Sequence, residues 1–267
     1  DAAVLIKQLG DPEPKVQWRA GRELEKKGST VVAPLVDALK SENATLRSNA
    51  ATTLGKLGRD AREGLPRLVE ILGDPKAEVR ASAASAVGKI GIDSEQTARA
   101  LVGLLHDEST EVRTRAIQSL GKAGQFAGTI APDLASALED KNEAVAAGAA
   151  ESLGNLGAAA KGTIGQLIRA LSNRSERIAS NAAEALGRIG PDAREAVEPL
   201  LRALKENGGR TAANAAWALG NIRADSGIVA ARLIEALNHS EAAVAANAAW
   251  ALGNVPVDTK DAVGALI

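Results

Sequence analysis

Two stretches, Asn214-Ala-Ala-Trp217-Ala-Leu-Gly-Asn221 and Asn247-Ala-Ala-Trp250-Ala-Leu-Gly-Asn254, hold the residues best suited to recognising another molecule. Helical periodicity places the two asparagines and the tryptophan of each stretch on one side. A carboxamide offers a donor and an acceptor to a main chain of any sequence, and an indole supplies a rigid apolar anchor. Residue types that carry catalysis are scarce. The chain has two histidines and no cysteine or tyrosine. His106 and His239 are followed by Asp107 and Ser240 and lie four repeats apart, whereas a metal site needs several imidazoles and carboxylates converging. Both read as exposed turn residues, so no metal and no cofactor are expected. No Walker loop, dinucleotide fingerprint or nucleophile elbow occurs. The expectation is a binding protein, not an enzyme.

These residues must be positioned by a repeat. From about residue 31 onward a period of 33 holds without insertion. Leu35, Leu68, Leu101, Leu134, Leu167, Leu200 and Leu233 form one column, and Leu39 opens a second four residues later, so both lie on one face of a first helix, A. A second helix, B, opens near Leu46, Val79, Val112, Val145, Ile178, Thr211 and Val244. Four residues on, every repeat has alanine, from Ala50 to Ala248, the mark of a seam where two helices pack closely. Gly55 begins a glycine column near the end of B, and Gly58, Gly91, Gly124, Gly157 and Gly190 stand where a C-terminal cap needs positive φ. Residues 1–29 repeat the pattern with an offset of 30. One hairpin cannot bury its own apolar stripe, so stability must come from stacking on neighbours.

The string from Asn181 to Gly190, after Glu176-Arg-Ile178 and before Ala196-Val-Glu-Pro-Leu-Leu201, resembles the HEAT-like repeat of phycobilisome lyases. The resemblance implies an all-α fold: a right-handed α-solenoid (α-α superhelix) of about eight two-helix HEAT-like repeats plus one terminal helix. It would form a single domain over 1–267, with repeats near 1–28, 29–58, 59–91, 92–124, 125–157, 158–190, 191–223 and 224–256 and a partial one at 257–267. In such stacks helix B lines the concave surface.

On that reading, the B-helix columns opposite the alanine seam are the inner face. One column reads Thr52, Ser85, Gln118, Glu151, Glu184, Trp217, Trp250; the next Lys56, Lys89, Lys122, Asn155, Arg188, Asn221, Asn254; a third runs from Asn49 through Arg115 to Asn181, Asn214 and Asn247. Trp-x-x-x-Asn is similar to the inner-helix signature of armadillo repeats, which implies that asparagines hold a peptide backbone and tryptophans wall its side-chain pockets. Armadillo repeats are longer and have three helices, so the match is confined to this motif. The expected site is Trp217, Trp250, Asn181, Asn214, Asn247, Asn221, Asn254, Glu184 and Arg188, with Lys56, Lys89, Lys122 and Arg115 as a secondary basic column. Trp18 and Phe126 read as ordinary packing.

The expected partner is a protein or an extended or acidic peptide segment. The resemblance leaves two alternatives: a nucleic-acid-binding protein with a groove like that of the HEAT-like DNA glycosylases, and a tetrapyrrole lyase or chaperone. A net charge of −1 argues against a surface built to attract polyanions. The absence of aspartate from the helices bearing Trp217 and Trp250 argues against the glycosylase, and the lack of cysteine and tyrosine, with one phenylalanine, against a pigment pocket. No apolar run is long enough to span a bilayer, so no membrane partner is expected. The compartment is undetermined, with the cytoplasm favoured. The apolar pattern reaching Ile267 suggests a longer chain or an oligomer covering that end.

Overall fold

The computed structural model describes residues 1–223 and 227–255; among these all regular structure is helical. The terminal partial repeat expected at 257–267 lies outside the described residues. The chain divides into two compact units, Asp1–Phe126 and Ala127–Ile267. In the first unit, α1 (Ala2–Gln8), α3 (Val32–Ala38), α5 (Leu65–Glu70) and α7 (Glu95–Gly103) alternate with α2 (Pro14–Lys26), α4 (Ala44–Leu57), α6 (Ala77–Ile90) and α8 (Thr110–Leu120). In the second, α9 (Ala127–Ser136), α11 (Ile164–Leu171), α13 (Val197–Glu206) and α15 (Gly227–Ala236) alternate with α10 (Glu143–Leu156), α12 (Glu176–Ile189), α14 (Gly209–Ile222) and α16 (Ala242–Leu252). Odd helices are the A helices and even ones the B helices, and each unit is a run of stacked α-solenoid hairpins.

Several B helices start where short polar side chains satisfy the first N–H groups. Asn43 accepts from the Leu46 N–H at 3.2 Å, and Ser175 accepts from that of Ile178 at 3.4 Å. They stop at glycines whose φ an L side chain avoids: 60° at Gly58, 121° at Gly91 and 77° at Gly190. In the seventh repeat that place is taken by Arg223, left-handed at φ 52°. All seven leucines of the Leu35 column and all seven alanines of the seam are fully buried.

Next to this seam the glycine column does something its spacing did not reveal. A Cβ at Gly55 would stand 2.8 Å from the Cα of Ala86, one at Gly187 2.8 Å from that of Ala218, and one at Gly220 2.7 Å from that of Ala251. At Gly55, Gly187 and Gly220 one B helix therefore meets the next backbone to backbone, closer than any side chain allows.

The first unit adds an ionic ladder that sequence reasoning missed. Arg47 donates to both oxygens of Asp74 (2.8 and 2.9 Å), and Arg80 to both of Asp107 (2.7 and 2.8 Å). The same guanidiniums brace the preceding A–B turns, Arg47 through the Ser41 carbonyl and Arg80 through that of Asp74. Burial alone would raise the Asp74 carboxyl, but the bonds from Arg47 and the Lys76 N–H and the surrounding positive charge hold it below the ordinary aspartate value; Asp107 behaves alike. The signal was the column Arg47, Arg80, Arg113 with aspartate 27 residues after each.

Two outcomes follow from this geometry. Because a left-handed non-glycine residue costs about 1 kcal/mol, Arg223→Gly raises the unfolding free energy by about that amount in chemical denaturation. For the ladder, a depressed carboxyl makes the unfolded chain bind more protons in acid, so its stabilisation is complete above the ordinary aspartate range and is lost as pH falls through the lower folded value. Asp74→Ala, which leaves Arg47 buried without its ion partner, costs about 3 kcal/mol at neutral pH, and the gap to the parent narrows in acid.

Candidate interaction surface

Trp217 and Trp250 project from equivalent positions of α14 and α16, and their rings stack with centroids 6.3 Å apart and planes 18° from parallel. Each rests on a glycine of the preceding B helix. A Cβ at Gly187 would stand 2.6 Å from Cζ3 of Trp217, and one at Gly220 2.8 Å from Cζ3 of Trp250. The glycine column thus serves twice, as the helix contact and as the floor of an indole. Trp217 is half-buried, and Trp250 remains 44% exposed.

The asparagines divide their amides differently from the expectation. Asn181 donates from Nδ2 to the Ala147 carbonyl at 3.0 Å, Asn214 to that of Ser180 at 3.0 Å and Asn247 to that of Ala213 at 2.8 Å. Each bond runs back 34 residues to the preceding B helix and uses the carbonyl's second lone pair. In these repeats alanine (Ala179, Ala212, Ala245) replaces the arginine of the ladder, and the amide bond is the inter-repeat tie. Asn221 and Asn254 turn Nδ2 onto their own helices, at the carbonyls of Trp217 (3.0 Å) and Trp250 (2.7 Å). Each of these amides thus spends an N–H on a carbonyl of the stack itself.

Glu184 and Arg188 pair at 2.6 Å, and Arg188 reaches Asn155 Oδ1 at 2.7 Å, so this charge is largely neutralised beside the aromatic pair. The secondary basic column lies in the first unit, the tryptophan set in the second. Lys56 donates to Glu25 at 2.7 Å and Arg115 to Glu111 at 2.8 Å. The Lys89 stem passes over Gly55, and Lys122 is exposed.

Trp18 overturns its expected role. It is 61% exposed, with the Arg22 guanidinium 5.2 Å from its ring centroid. Three residues on, Gly21 stands where the next three repeats carry Ala51, Ala84 and Ile117. His106 is exposed, and His239 uses Nδ1 to accept the Glu241 N–H at 3.1 Å. Among the described residues no helix is long and apolar enough to cross a membrane, and no cluster of three or more His, Cys, Asp or Glu is placed to hold a metal.

Solved structures share this arrangement at low identity. An engineered protein from the Northeast Structural Genomics Consortium is 22% identical with a TM-score of 0.65, covering 99% of this chain and 81% of its own. A designed armadillo repeat protein, also 22% identical, gives a TM-score of 0.54 over 72% of this chain and 99% of its own. A chain from a structure describing how Kap95p binding alters the switch loops of RanGDP gives 0.68 at 15% identity, over 98% of this chain and 40% of that one. No curated protein sequence matches. The family model for HEAT repeats matches residues 2–87, 65–130, 100–164 and 131–220, and that for the PBS lyase HEAT-like repeat matches 211–239. With matches running from residue 2 to residue 239, the chain belongs to the HEAT repeat family.

Proposed function

We propose that this chain is a non-catalytic binding scaffold whose B-helix face around Trp217 and Trp250 holds an extended protein segment on the concave side of the stack. The observation that carries the reading is the stacked indole pair, with Trp250 left 44% exposed on a platform of glycines. Two large aromatics fixed in place and open to solvent offer apolar area at little entropic cost, as the anchors of interfaces do. The amide oxygens of Asn181, Asn214, Asn247, Asn221 and Asn254 flank them as acceptors for main-chain N–H groups. Glu184 and Arg188 border the same face as a paired charge. The likeness in fold to a designed armadillo repeat protein accords with this reading.

A nucleic-acid reading rests on the lysine column, and there Lys56 and Arg115 each stand beside a carboxylate, Glu25 and Glu111, which lowers the positive potential offered to a run of phosphates. Oligonucleotide binding is therefore expected to be weak, without the steep salt dependence of phosphate neutralisation.

The test uses a displayed library of random dodecapeptides selected on the parent protein. Recovered peptides are expected to lose at least roughly tenfold in affinity on the Trp217→Ala/Trp250→Ala variant, while its circular dichroism and cooperative unfolding persist. Equal affinity for the folded double variant overturns the site.

A further inference from the structure

The first unit carries a second, separate pocket. Trp18 forms one wall, the Pro14 ring and Leu9 line the interior, and Thr52 and Lys56 stand at the rim of a cavity of about 270 Å³ between α2 and α4. Gly21 opens it. The corresponding positions of the next repeats hold Ala51, Ala84 and Ile117, and a Cβ at Gly21 would touch nothing nearer than 3.8 Å. The helix therefore tolerates a side chain there, and glycine leaves the space empty.

Two amides at the cavity are tied internally. Gln17 donates to the Asp11 carbonyl at 2.6 Å, and Asn49 donates to the Leu9 carbonyl at 2.8 Å and to Gln17 Oε1 at 3.0 Å. Leu9, Pro14 and Trp18 give the slot its apolar surface beside these tied amides. The charge around it is cationic. Arg22 lies over the Trp18 ring, Lys56 stands at the rim paired with Glu25, and the stem of Lys89 passes over Gly55 beside it.

We infer that this pocket binds an acidic protein segment through one bulky apolar side chain, seated between Trp18 and Gly21, with flanking carboxylates facing Lys56 and Lys89. Arg22 fixes the indole from the solvent side by a cation–π contact, so the ring is held ready and not ordered on binding. This site lies in the first unit and the Trp217–Trp250 face in the second.

The chain has three tryptophans, so Trp217→Phe/Trp250→Phe leaves Trp18 as the sole indole reporter and removes the other face. The probes are an Asp/Glu-rich nonapeptide with a central leucine, the same peptide with a central alanine, a Lys-rich counterpart with leucine, and oligothymidylate. With the first, Trp18 emission is expected to move to the blue and acrylamide quenching to fall. The alanine peptide binds at least roughly tenfold more weakly, and Lys56→Ala/Lys89→Ala weakens the leucine peptide by roughly tenfold. Gly21→Ile fills the slot and removes the response while its unfolding midpoint is no lower than that of the parent. An unresponsive Trp18, undiminished binding by Gly21→Ile, or tighter binding of the Lys-rich peptide or of oligothymidylate overturns the inference.

Discussion

Within both units B helices touch at a glycine, with less than 3 Å between a would-be Cβ and the facing Cα at Gly55, Gly187 and Gly220. No side chain larger than hydrogen fits, so the spacing of the hairpins is set by backbone contact and not by side-chain bulk. The fully buried alanines one turn earlier extend the same seam, and the leucine columns of the A helices close the layer beneath it. Glycine inside a helix costs about 1 kcal/mol relative to alanine. A fold that accepts this cost in repeat after repeat gains dispersion contacts along the seam and a uniform step between repeats.

That step determines what the outer edge of the seam can carry. In the last repeats the glycine leaves a flat floor on which an indole lies, and two successive floors bring Trp217 and Trp250 into a stack. The asparagines use the same close approach in another way. Only when the preceding helix is this near can Nδ2 of Asn181, Asn214 or Asn247 reach a carbonyl across the gap. The first unit reaches the same end with charge, through Arg47 and Arg80 clasping the aspartates of the following turns. Two chemically different ties therefore hold one geometry, and they leave different surfaces. The arginine ladder belongs to the lysine-bearing unit; the asparagine tie to the one with the stacked indoles.

Most of the fold was legible because a solenoid repeats its instructions. The leucine columns, the alanine seam and the positive-φ glycines each recur at one spacing, and the helices fall where those columns place them. What was not legible is the division of labour within a residue type. Sequence position puts Asn214 and Trp217 on one face but cannot say that the amide donor is given to the Ser180 carbonyl, because that depends on how closely α12 and α14 approach. The glycine column was visible as a pattern and silent as a contact for the same reason. Trp18 stands exposed where a lone tryptophan on a helix usually packs, and beside it Gly21 takes the place of the alanine or isoleucine of the next repeats.

The account stands on the glycine contact, and the most direct measurement is equilibrium unfolding of Gly187→Ala beside Gly165→Ala. Gly165 lies exposed in α11 with nothing within 4 Å of a Cβ, so alanine there should stabilise the chain by roughly 0.5–1 kcal/mol through helix propensity alone. At Gly187 the same added methyl meets the Ala218 backbone and the Trp217 ring, and the account predicts the opposite sign, a loss of about 2 kcal/mol with altered tryptophan emission. A Gly187→Ala protein as stable as Gly165→Ala would mean that the B helices do not meet at that glycine, and the platform beneath the indoles would have no basis.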